Sequence, residues 1–89
     1  MMRERGSVVR FDEVAVPEGS PFVGRPIGEI KGAEGHAPLL VAVLERETGH
    51  YDINPVSGRP IKPGDRLVMI GETSKLFELR KRIETTATV

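Results

Sequence analysis

The stretch Leu39-Leu40-Val41-Ala42-Val43-Leu44 is apolar on both strand parities. A strand of that composition has water on neither face, so it must lie inside a sheet. Arg66-Leu67-Val68-Met69-Ile70-Gly71 reads as a second buried strand. The segments between such runs are cut by proline and glycine and are too short for crossover helices, which favours strands joined by turns. The chain has 89 residues, enough for one core and not two.

The remaining segments fit around these strands. Residues 8–16 are rich in β-branched side chains, but Arg10 and Asp12 share the parity of Val14 and Val16. That pattern predicts a partly exposed or bulged edge strand. Residues 3–7 read as a frayed approach to it. Pro17-Glu18-Gly19-Ser20-Pro21 is a turn cluster, and Pro26 suits the first turn of a short helix that points Ile27 and Ile30 inward. Residues 51–54 are expected as a short strand. Pro63-Gly64 suits the centre of a type II turn. Thr73 or Ser74 is expected to cap a final helix with Leu76, Leu79 and Ile83 as its apolar stripe and Glu78 four residues from Arg82. The fold class is therefore α+β, a small mixed or antiparallel sheet of about four strands with two helices on one face.

Chemistry is sparse. Lys and Arg number 13, as do Asp and Glu, so the formal net charge is zero. That argues against a nucleic-acid binder. There is no cysteine, hence no disulfide and no Cys-ligated zinc. No apolar run approaches the roughly 18 residues of a membrane span, so no direct membrane insertion is expected. Gly24, Gly28 and Gly32 have the spacing of a membrane-helix dimer motif, but charges and Pro26 interrupt it. His50 and Asp52 would share a strand face, with His36 in a distant loop. A metal site needs more convergent ligands, so none is expected. Ser7, Ser20, Ser57 and Ser74 sit in turns or at a cap and lack a nucleophile elbow. No catalytic residue is assigned and no enzyme is expected. Gly24-Arg25-Pro26-Ile27 recurs as Gly58-Arg59-Pro60-Ile61, which reads as chance or convergent turn chemistry. The loop over residues 30–38 holds Gly32, Gly35, His36 and Pro38 and is long for a connector.

The ordered series of motifs resembles the TrkA-C domain, the C-terminal lobe of the regulators of potassium conductance (RCK) family. The resemblance is carried by Val14-Ala15-Val16-Pro17-Glu18-Gly19-Ser20-Pro21-Phe22-Val23-Gly24-Arg25-Pro26-Ile27-Gly28-Glu29-Ile30, by Leu40-Val41-Ala42-Val43-Leu44-Glu45-Arg46, by Asn54-Pro55, and by Ile61-Lys62-Pro63-Gly64-Asp65-Arg66-Leu67-Val68-Met69-Ile70-Gly71. A closing helix over residues 75–83 completes it. The likeness implies a domain over residues 11–84, a linker from a preceding domain over 1–10, a disordered tail over 85–89, and a longer parent polypeptide.

The resemblance also implies a role on the cytoplasmic side of the membrane. The domain would form a homodimer attached to a potassium channel or transporter, where an effector gates ion flux. The alternative is a purely structural dimerisation domain. The best-known effector of the lobe is the nucleotide cyclic di-AMP. By position its site carries over to Ile30, Lys31, His36, Ala37, Pro38, Leu39 and Leu40. Members that bind it carry an Arg and an Asn where this chain has the Gly32-Ala33 region and Leu40, which leaves Lys31 or His36 to supply the charge.

Overall fold

The two buried runs pair with each other. In the computed structural model, which describes residues 2–4, 7–30 and 37–86, strand β3 (Leu39–Leu44) runs antiparallel to β5 (Arg66–Glu72). Strand β2 (Ser7–Ala15) flanks β5 on its other side, β1 (Met2–Glu4) pairs with β2, and β4 (Tyr51–Ile53) pairs with β3. The sheet is five-stranded, wholly antiparallel, and ordered β1-β2-β5-β3-β4.

The α+β class is as the sequence predicts. Met2–Glu4 adds a fifth strand within the segment expected to be frayed. It also moves β2 off the edge, where the sequence placed it. The expected bulge is in β3 instead. Leu40 opposes Met69 and Ala42 opposes Val68, adjacent residues on β5, so Val41 is the extra residue. The bulge explains the broken alternation, because it lets Leu40 and Val43 both face inward, at 1% and 0% exposure.

The inner face carries helix α1 (Thr73–Glu84), packed on β2 and β5. Leu76, Leu79 and Ile83 are its buried stripe, as the spacing predicts. They meet Val14, Leu40, Val43, Leu67 and Met69 from the sheet and Val16, Phe22, Ile27, Ile30 and Ile61 from the loops. Each large apolar side chain withdrawn in this way contributes about 1.5–3 kcal/mol. Asp12, the residue that spoiled the alternation of β2, lies in this inner row beside Met69. Arg80 of α1 accounts for it. Its Nη2 donates to Asp12 Oδ1 at 2.7 Å and its Nε to Oδ2 at 3.3 Å, a two-point bond that anchors helix to strand.

Two details of the helices differ from expectation. The residue before α1 is Glu72, with no side-chain cap, and the Thr73 hydroxyl donates to the Val8 carbonyl at 3.2 Å instead. The hydroxyl thus ties the helix start to β2. Glu78 pairs with Lys75 at 3.8 Å and Arg80 with Glu84 at 3.2 Å, so the i, i+4 pair forms two residues along from the expected Glu78 and Arg82.

The first helix is a single 3-10 turn over Ile27–Glu29. Its leading amides, which no helix can satisfy internally, are bonded to a neighbouring segment. Ile27 N–H donates to Arg59 C=O at 2.7 Å and Gly28 N–H to Ser57 C=O at 2.8 Å. This contact joins the two Gly-Arg-Pro-Ile copies. Pro26 opposes Pro60 in an isolated antiparallel bridge. Ile61 N–H donates to Arg25 C=O at 2.9 Å, the mirror of the Ile27 bond. In an antiparallel ladder alternate pairs exchange no hydrogen bonds themselves, so such a pair can be proline on both strands without losing a donor. The likeness of the two segments thus has a structural counterpart: each is the other's partner.

The turn at Pro63-Gly64 forms as expected. Asp65 N–H donates to Lys62 C=O at 3.3 Å, and Gly64 has φ +86°. A Cβ on Gly64 would lie 2.4 Å from Arg46 Cδ. Gly64→Ala is expected to cost about 1–3 kcal/mol, from positive φ and displacement of Arg46. Urea denaturation checks this, and an unchanged midpoint would show that the turn relaxes.

Candidate functional site

The outer face of the sheet carries neither α1 nor the 3-10 turn, and cross-strand register gives its composition. Phe11, Ile70 and Leu39 form one row across β2, β5 and β3. The next row is Glu13, Val68, Ala42 and Ile53, and the third is Ala15, Arg66, Leu44 and Tyr51. Phe11 is 62% exposed, Ile53 76%, Tyr51 55% and Leu39 44%. Within these three rows the charged residues are Glu13 and Arg66, which pair with each other at 3.6 Å, and Glu72 opposite Val9 adds a carboxylate beyond the Phe11 row. A contiguous apolar surface of this kind marks an interaction site.

The residues expected to hold an effector divide across this architecture. Leu39 is on the outer face, and Ala37 just before it is exposed. Leu40 points the other way into the core at 1% exposure. Ile30, which ends the 3-10 turn, is 6% exposed, and Pro38 is buried against the backbone of Gly71. Lys31 and His36 lie outside the described residues. The structure therefore brings Ala37 and Leu39 to the edge of the apolar face and sends Ile30, Pro38 and Leu40 inward.

Sequence reasoning missed a charged cluster at the far end of β3. Arg59 leaves the second Gly-Arg-Pro-Ile copy with its side chain 11% exposed and reaches three carboxylates. Its Nη2 lies 2.7 Å from Glu45 Oε2, its Nε 2.9 Å from Asp52 Oδ2, and its Nη1 3.6 Å from Asp65 Oδ2. Asp65 is 4% exposed, and its Oδ1 accepts the Arg46 N–H at 3.1 Å. The last ion pair is too long for a hydrogen bond, and both of its atoms, Nη1 and Oδ2, are buried without a hydrogen-bond partner. The hydrogen bond from Arg59, and then that from Thr48, holds the Glu45 carboxyl below its ordinary pKa. A cleft of about 320 Å³ opens here, lined by Arg46, Lys62 and Pro63 as well as Glu45, Arg59 and Asp65.

Asp52 is committed to Arg59 and so does not combine with His50, which is exposed. Among the described residues no group of three or more His, Cys, Asp or Glu side chains is placed to hold a metal ion. No described helix is long and apolar enough to cross a membrane.

The family model of the TrkA-C domain matches residues 13–84. No curated protein matches the chain. Among solved structures, the chain is similar to the RCK_C domain dimer of S. agalactiae BusR in complex with c-di-AMP. That likeness has a TM-score of 0.69 at 22% identity and covers 82% of this chain and 93% of the other. At that identity it establishes a shared fold.

Proposed function

This chain belongs to the TrkA-C domain family, and on that premise we propose that it is a non-catalytic regulatory domain that works as a homodimer. The observation that carries this reading is the apolar outer sheet face, with Phe11, Leu39 and Ile53 exposed in adjacent rows. A second copy is the occupant we assign to it. The Phe11, Ile70 and Leu39 row is free of charge, as the core of a protein interface is, with charged residues in the rows around it, and the BusR domain of the same fold is a dimer.

In this reading the parent protein is a potassium channel or transporter, and the domain sits on the cytoplasmic side of its membrane. A nucleotide effector such as cyclic di-AMP binds at the seam near Ala37 and Leu39, together with Lys31 and His36. It shifts gating by binding one dimer arrangement better than another. The BusR complex with c-di-AMP supports that choice of nucleotide.

Sedimentation equilibrium tests both parts. The wild-type chain is expected to dimerise, and Phe11→Glu to weaken the dimer about thirtyfold or more while the monomer stays folded, since Phe11 is outside the core. Wild type and variant that are equally monomeric would reject the interface. Cyclic di-AMP is expected to tighten the wild-type dimer. A dimer indifferent to it favours the second reading, a structural dimerisation domain without ligand. The burial of Ile30, Pro38 and Leu40 supports that alternative, because it withdraws their side chains from any ligand.

A further inference from the structure

Phe22 carries two cations. The guanidinium carbon of Arg25 lies 5.0 Å from the ring centre, and that of Arg82, from the last turn of α1, lies 5.3 Å away. Their chain positions are remote, so the fold has gathered two like charges at one ring. With Pro21 and Thr85 these residues line a hollow of about 290 Å³ that contains no carboxylate.

The arginines are not neutralised from outside it. Arg25 has Glu29 at 3.4 Å, but both side chains are about half exposed, at 48% and 49%, and such a pair holds weakly. Among the described residues the Arg82 side chain makes no ion pair and no hydrogen bond, whereas its neighbour Arg80 is bonded to Asp12 and Glu84. The chain as a whole has no net charge, so this concentration of cations is local. The Thr85 hydroxyl is committed to the Lys81 carbonyl, which leaves the two guanidiniums as the donors.

We propose that Arg25 and Arg82, set on the Phe22 ring, form a binding site for a phosphate-bearing ligand. Each guanidinium is a planar fork of N–H donors that bonds two oxygens at once. A phosphate has enough oxygens to engage both forks, whereas a single carboxylate is used up by one. The hollow is far larger than one ion, and the exposed Pro21 gives the rest of the ligand an apolar contact. The site is built by the start of the 3-10 segment and the end of α1, separate from the seam near Leu39, and does not depend on dimerisation.

Calorimetric titration of the whole chain with inorganic pyrophosphate at constant ionic strength tests this. Saturable binding is expected, with the Nε–H resonances of Arg25 and Arg82 shifting together. Arg82→Gln and Arg25→Gln should each weaken it about tenfold or more. Lys75→Gln, at an exposed cation on the same helix, should leave it unchanged. The source of the phosphate is read by a second arm. Binding of pyrophosphate in solution identifies a soluble ligand, and Arg82-dependent co-sedimentation with phosphatidate but not phosphatidylcholine vesicles identifies a lipid headgroup. Absence of both, or an equal loss in Lys75→Gln, overturns the proposal.

Discussion

Arg59→Met is expected to cost about 3–5 kcal/mol at neutral pH, the range for leaving buried charge without its partner. Methionine keeps much of the apolar stem, so the loss reports the guanidinium. Asp65, 5% exposed in its side chain, would retain only the Arg46 N–H, and Glu45 and Asp52 would face it with no cation between them. The loss should depend on pH. In the wild type Arg59 depresses the pKa of Glu45, so that group adds stability above its unfolded value of about 4.3 and loses it as pH falls through the lower folded value. The variant lacks this contribution. The two denaturation curves should therefore converge on acidification. A gap that stays constant from neutral to acid pH would mean that Arg59 acts through its stem.

Ile61→Ala should be comparably severe, at about 2–5 kcal/mol. Ile61 is 1% exposed, and its backbone donates to Arg25 and accepts from Gly24, so the surroundings are pinned and cannot close on the cavity. Ile53→Ala removes the same atoms from the outer face at 76% exposure and should change monomer stability by no more than about 0.5 kcal/mol. Equal effects in chemical denaturation would show that the inner and outer faces are misassigned.

What was legible in the sequence was what neighbouring residues decide. The doubly apolar run of β3, the stripe of Leu76, Leu79 and Ile83, and the Pro63-Gly64 turn follow from periodicity and turn chemistry. Arg59 was not legible, because its three carboxylates come from separate segments that only the tertiary fold assembles. The recurrence of Gly-Arg-Pro-Ile is the available signal, but in the sequence alone it reads as coincidence. Asp12 looked like a fault in β2 until Arg80 was seen to cover it from the helix. The outer face needed register, since Phe11, Leu39 and Ile53 become neighbours only once β2, β3 and β4 are aligned. The Thr73 hydroxyl was misread because cap preference is local, whereas Val8, its acceptor, is remote in the chain.

The strand order has a consequence for how the domain comes into being. β5 is the middle of the sheet, yet of the five strands it is the last to be synthesised. Until the ribosome releases it, β1 with β2 and β3 with β4 are separate two-stranded ribbons, and a ribbon of that size is marginal in water. α1 follows β5 directly and packs on β2 as well, so it too has nowhere to settle earlier. Both ribbons must wait with their apolar rows uncovered, and assembly is then a single late event in which one strand recruits both halves.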